Sequence, residues 1–342
     1  MKDLVDVGVA ARFAARLAAP GPLDRSYLMD GLQESFSALV EEAEPLISGE
    51  TGFHPATPAV ARVLSRAEWA TSNVESILTL LAPLLEKVDE RIAERKAPPA
   101  VRVAYRTTLG AQLGAVLGFL SQRVLGQYDT LMSHQDEVWF VGPNIILTER
   151  RLGFTPRDFR LWVVLHELTH RSQFEANPWV RDYFLSAVNE MLSSMDLDAR
   201  TLLERLQEAS RKPNGESHFA LRLLTPEQLQ TFNRLQAFMS VIEGHGNFIM
   251  DRVGEGLIPS QARMRRELNK ASASGGVLAK LIGKVLGLDL KRAQYQLGQK
   301  FFDTVFREGG QDAVRACFES PAALPTLEEV KDPKKWLQRV AT

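Results

Sequence analysis

Cysteine is almost missing from this chain: of 342 residues, Cys317 is the sole thiol. That excludes a disulfide framework and a cysteine metal cluster, and leaves Cys317 the ordinary role of a small buried residue. Long apolar runs are missing too, so no segment is expected to cross a bilayer. The first residues, MKDLVDVGVAARFAARLAAPGP, are broken by Asp3, Asp6, Arg12 and Arg16. They read as an amphipathic helix, not a secretory signal, and a cytoplasmic location is expected. Excess charge of either sign is lacking, with 41 Lys and Arg against 42 Asp and Glu. Nucleic acid and acidic membrane surfaces are therefore not expected as partners. The chain shows no phosphate-binding glycine loop, internal repeat or low-complexity segment.

What is present is His166-Glu167-Leu168-Thr169-His170, inside WVVLHELTHRSQF. Residues four apart share one face of an α-helix, about 6 Å apart, so both imidazoles can reach one metal ion. Glu167 follows the first ligand and is placed to take a proton from a metal-activated water. Thr155-Pro156-Arg157-Asp158 supplies a helix start: an N-cap, a proline at the first position and an acid in the first turn. Phe159, Trp162, Val163 and Leu165 recur at helical spacing. A buried helix carrying His, Glu and His needs partners for those polar groups, and zinc supplies them.

A catalytic zinc takes three protein ligands and keeps one position open. Arg171-Ser172-Gln173-Phe174-Glu175-Ala176 lacks the Gly and His of the compact three-histidine class, so the third ligand must come from a later element. Two glutamates compete. Glu190, in Asn189-Glu190-Met191-Leu192-Ser193, has the spacing of the thermolysin-like ligand. Its helix starts at Asn177-Pro178, however, and a position about three turns in overshoots His170. Glu243 lies in VIEGHGNFIMD, on a helix opened by the capping box Thr225 to Gln228. Two glycines beside it cost about 1 kcal/mol each within a helix. Close approach of another backbone, a metal site or a substrate is the natural compensation. Burial of its charge favours Glu243, and Glu190 stays open as the alternative.

HELTHRSQFEANPW, EGHGNFIMD, the upstream FVGPNI and the C-terminal QYQLGQKFFDTV together resemble the zincin-like metallopeptidases of type 2. The resemblance implies a mainly α, multi-helix zincin-like fold with a small β element before the HExxH helix. It also implies Glu243 as the partner of His166 and His170. The expected activity is zinc-dependent hydrolysis of a peptide or small amide, with Glu167 as general base. A zinc hydrolase of a small non-peptide metabolite and a degenerate zincin that only binds are the alternatives. Candidates for the donor that meets charge on the reacting oxygen are His245, Tyr295 and Tyr183. His245 sits two residues from Glu243 and points about 160° away around an intact helix, which also suits a supporting or packed histidine. Asn247 and Asp251 are candidates to orient a ligand imidazole. His54, His134 and His218 have no ligand spacing and read as surface residues.

Around the motif the periodicity is helical near 28–47, 59–94, 98–126, 178–195, 199–211, 226–253, 260–272 and 290–308. A loop is expected at 272–276, before the apolar segment 277–286, and short helices in 322–342. Glu137-Val138-Trp139-Phe140-Val141 reads as a strand. The turn Gly142-Pro143-Asn144 and then Ile145-Ile146-Leu147 follow. The strand offers either an edge for an extended substrate or a small hairpin over the HExxH helix. A boundary near 130 would divide an N-terminal helical region, 1–130, from the zinc-bearing region, 131–342. No linker marks it, and one continuous domain is the alternative.

Overall fold

The computed structural model describes residues 4–18, 20, 21, 23, 24, 26–94, 96, 98–129, 136–195, 223–273 and 288–340. The segments 199–211 and 277–286, together with His134 and His218, lie outside the described residues. Asp6 accepts the Val9 N–H at 2.8 Å and opens α1 (Val7–Leu17). Then come α2 (Leu32–Thr51), β1 (Val60–Leu64), α3 (Arg66–Leu80), α4 (Ala82–Glu94), α5 (Pro99–Ser121) and β2 (Gly126–Tyr128). They are followed by β3 (Glu137–Val141), α6 (Gly142–Leu152), α7 (Pro156–Glu175), α8 (Pro178–Ser194) and α9 (Pro226–Gly254). The chain continues through α10 (Gln261–Ala273), α11 (Leu288–Ala316, kinked at Gly310), α12 (Leu327–Lys331) and α13 (Pro333–Val340). Thirteen helices around three strands, counted over the described residues, make the fold mainly α with a small β element. No helix among them is long and apolar enough to cross a membrane.

The strands lie in the order β1-β3-β2. β1 runs parallel to β3 with Val60 opposite Glu137, and β2 runs antiparallel with Tyr128 opposite Val138. β3 is thus the central strand, and its continuous apolar run follows from burial on both faces. Side chains alternate along it. Val138 and Phe140 enter a core built from α2, α7, α9, α11 and the C-terminal Trp336, where Phe36 stacks on Phe140 at 4.2 Å. Trp139 and Val141 enter a second cluster with Ala10, Ala14, Trp69 and Leu117 from α1, α3 and α5. Each large side chain so buried contributes about 1.5–3 kcal/mol.

Three expectations are corrected. The stretch 59–94 is not helical throughout: Val60–Leu64 is a strand, and α3 begins after it with a capping box, Ser65 with Glu68. A short apolar run does not separate strand from helix by periodicity, but Ser-x-x-Glu at 65–68 marks the true start. Gly142-Pro143-Asn144 is not a turn followed by a separate apolar segment Ile145-Ile146-Leu147. Both lie in α6, where Pro143 occupies the first turn and Ile145 and Ile146 are buried while Leu147 is exposed. Finally, β3 has partners on both sides and cannot be a substrate edge. The edge strand facing the HExxH helix is β2, and the β2–β3 pair covers that helix.

Candidate metal centre

The HExxH helix is α7. Pro156 starts it, and the Thr155 side chain makes no capping bond there. Asp158 in the first turn accepts the Ser260 hydroxyl at 2.7 Å. Phe159, Leu161, Val163, Val164, Leu165 and Leu168 are all buried, so the helix is enclosed nearly all round. That encirclement brings His166 and His170 into contact with α9. Their Nε2 atoms stand 3.1 Å apart, and Glu243 Oε2 of α9 lies 3.6 Å from His170 Nε2 and 4.0 Å from His166 Nε2. Among the described residues this is the one group of three or more ligand-type side chains close enough to hold an ion.

The triangle fits zinc. Ligands at about 2.05 Å in tetrahedral array stand about 3.3 Å from one another, and the three separations here bracket that value. Burial by itself pushes His170 down. The hydrogen bond and charge of Glu243, then the charge of Glu167, outweigh it, and His170 titrates above its ordinary value. An imidazole under that pull faces negative charge that a metal ion would neutralise.

Both glycines of the EGHG segment are accounted for, each in a different way. A methyl group on Gly244 would overlap the backbone of Gly298 in α11, so that glycine permits a helix crossing. A methyl on Gly246 would stand 3.3 Å from His170 Cε1 and 3.9 Å from His166 Nδ1, so that glycine makes room for the imidazoles.

Glu167 is buried with the triangle's helix, and its Oε2 accepts the Tyr128 backbone N–H at 3.1 Å. A Cβ on Gly126 would fall 2.8 Å from Glu167 Oε1. The edge strand β2 therefore lies directly against the carboxylate. Its approach is tied down by Asn144, whose amide donates to the carbonyls of Ser121 at 2.7 Å and Val124 at 2.6 Å and accepts from Arg66 at 2.6 Å. Asn144 is more than a turn residue. The Tyr128 hydroxyl bonds Glu175, and Arg181 reaches both, at 2.7 Å to Glu175 and 3.1 Å to Tyr128. Burial first, then Glu175, push that phenol well up.

Other candidates fall elsewhere. Glu190 is half-exposed, bonded to Thr231 at 2.5 Å and paired with Arg234 at 2.6 Å. The helix overshoot carries it away from the imidazoles. His245 faces away from the triangle, as its position two residues after Glu243 dictates. It is 1% exposed, with Nδ1 2.8 Å from Gln173 Nε2 and its ring against Phe53, Phe302 and Phe318. Burial pushes it down to about 3, so it stays neutral, and the ring is closed off from solvent. Tyr183 packs on Phe238 beside Glu190 and Arg234, away from the imidazoles. The Tyr295 side chain lies outside the described residues. Asp251 holds Arg265, Gln261 and Gln299 in place of an imidazole. His54 is exposed, as expected.

Sequence reasoning missed Gln173, Tyr128 and Gly126. Gln173 carries a local signal, since it follows His170 by three residues and shares its helix face. Gly126 was hidden, because helical periodicity was read through 98–126 and the strand there is only three residues long. Tyr128 carries none, because its bond to Glu167 is a main-chain contact made by the fold.

An HExxH helix crossed by a second helix that delivers a glutamate, beside a small sheet, defines a zincin-like protein. The chain belongs to the zincin-like metallopeptidase family, whose model matches residues 5–337. Among solved structures it is similar to a protein from Chloroflexus aurantiacus described as a candidate hydrolase with a novel fold. The two share 34% identity over 99% of each chain, with a TM-score of 0.73. No curated protein matches it.

Proposed function

We propose that this protein is a zinc-dependent hydrolase cleaving the amide bond of a peptide or small amide substrate. The observation that carries this reading is the His166, His170 and Glu243 triangle, with the Glu167 carboxylate on the same helix. Those three side chains would hold zinc, which when bound supplies a Lewis acid for the carbonyl and lowers the pKa of water. Glu167, steadied at Oε2 by the Tyr128 N–H, takes a proton as water attacks the carbonyl carbon. It then returns that proton to the departing amine as the C–N bond breaks. Of the two edge strands, β2 is the one that lies against the HExxH helix, and an extended substrate aligns along it. A site that only bound a metal would have no chemical need for a general base at Glu167, which favours turnover over mere binding.

The test is metal analysis of purified protein joined to hydrolysis of a broad peptide library. About one equivalent of zinc is expected. Cleavage should stop on chelation and fall about 10²–10⁴-fold in Glu167→Gln with zinc retained. A library left intact by zinc-loaded protein rules out the peptidase reading.

A further inference from the structure

Gln173 lies three residues after His170 on α7 and is fully buried. Its amide oxygen is 3.0 Å from His170 Nδ1. Its amide nitrogen is 2.9 Å from the Ile242 carbonyl and 2.8 Å from His245 Nδ1. The orientation of such an amide is settled by its partners. A main-chain carbonyl only accepts, so the nitrogen must face Ile242. Its second hydrogen then goes to His245 Nδ1, and the oxygen is left facing His170. Because that oxygen also only accepts, a proton of His170 must sit on Nδ1, and Nε2 is the nitrogen left facing His166 and Glu243. His245 is the counterpart: Nδ1 accepts, so its proton sits on Nε2, and the ring is held by Phe53, Phe302 and Phe318 at 5.8, 5.2 and 4.7 Å.

We propose that Gln173 is a positioning residue that locks His170 in the Nδ1–H tautomer, with His245 as the buried anchor that keeps the amide from turning over. A neutral amide does this without adding a third carboxylate to a site that already holds Glu167 and Glu243. Any other neighbour at 173 able to donate but not accept would turn the proton to Nε2 and close the lone pair to a metal. The assignment deepens the metal-site reading and rests on it only for metal affinity, since the tautomer is a property of the metal-free chain.

Imidazole ¹⁵N spectra of metal-free protein, with zinc affinity from chelator competition, test it on wild type, Gln173→Leu, Gln173→Glu and His245→Phe. Wild type should show His170 protonated on Nδ1. Gln173→Leu should populate the Nε2–H form and weaken zinc about 10–100-fold. Gln173→Glu, whose carboxylate accepts the same proton, should restore the Nδ1–H signal. His245→Phe should fall between wild type and Gln173→Leu in Nε2–H population. Wild-type His170 protonated on Nε2 alone overturns the proposal, as does a folded Gln173→Leu with the wild-type signal and affinity. An unchanged signal in His245→Phe removes His245 from it. If Gln173→Leu does not fold, the wild-type spectrum and the Glu and Phe variants decide. Correct tautomers in a chain that binds no zinc would sink the function proposed above while leaving Gln173 in its place.

Discussion

The backbone N–H of Tyr128 donates to Glu167 Oε2 at 3.1 Å, joining the edge strand of the sheet to the middle of the HExxH helix. One carboxylate oxygen is thereby occupied by a fixed donor, and the strand that would align a substrate is registered against the proposed base. The same contact fixes how far each can move, because Gly126 packs on the other carboxylate oxygen with no space for a side chain.

Gly126→Ala should therefore act on catalysis before stability. The new methyl would sit 2.7 Å from Glu167 Cγ and 2.8 Å from Oε1, so the carboxylate must shift. A displacement approaching 1 Å costs on the order of 10²-fold in rate. Zinc content and melting temperature should stay close to wild type while kcat falls. Steady-state kinetics beside a thermal melt read this out, and an unchanged kcat would refute the placement of β2 against the base.

Exchanging each competing glutamate separates the two candidate ligands. Glu243→Ala should weaken zinc more than about 100-fold, beyond what loss of an outer partner costs. Glu190→Ala should leave zinc affinity unchanged and move stability by no more than about 1 kcal/mol, since its pair with Arg234 is solvent-exposed. Isothermal titration of both variants checks the contrast; zinc lost in Glu190→Ala would reverse the assignment.

Neighbouring glycines should respond in opposite ways to alanine. In Gly244→Ala the methyl would overlap Gly298 backbone, so the crossing of α9 and α11 must open, at about 1–3 kcal/mol. In Gly246→Ala the methyl meets side-chain atoms of the two imidazoles, nearest His170 Cε1 at 3.3 Å, and alanine gains up to about 1 kcal/mol of helix propensity. Denaturant melts should show the first destabilised and the second near neutral, with metal affinity reduced in the second. Equal melts for the two would contradict the separate roles given to them.

Cys317 should report unfolding. It is fully buried, and burial pushes its thiol well above the ordinary range, so little nucleophilic thiolate exists at neutral or mildly alkaline pH. Ellman's reagent at pH 8 should find essentially no reactive thiol in native protein and about one per chain in guanidinium. Rapid labelling of the native chain would show that the α11 end of the core opens.

The motif helix was legible because its logic is local. A four-residue spacing, a proline start and buried apolar flanks lie within one stretch of chain, and α7 runs from Pro156 as that pattern requires. The Thr225 to Gln228 box likewise marked the start of α9. β1 was hidden because five residues, Val-Ala-Arg-Val-Leu, are too few to carry a period of their own. Gly142-Pro143-Asn144 misled because glycine, proline and asparagine suit a turn and also the first turn of a helix.

Residue order alone determined the two imidazoles, the carboxylate between them, and the need for a third ligand from farther along. It also ranked Glu243 above Glu190, through the cost of burying charge. Only the tertiary fold decided that Glu243 Oε2 reaches 3.6 Å from His170, that β2 and not β3 is an edge strand of the sheet, and that His245 stands behind Gln173. Those outcomes depend on how helices cross and strands pair between distant segments. Side-chain packing over the whole core sets them, and no window of neighbouring residues contains that information.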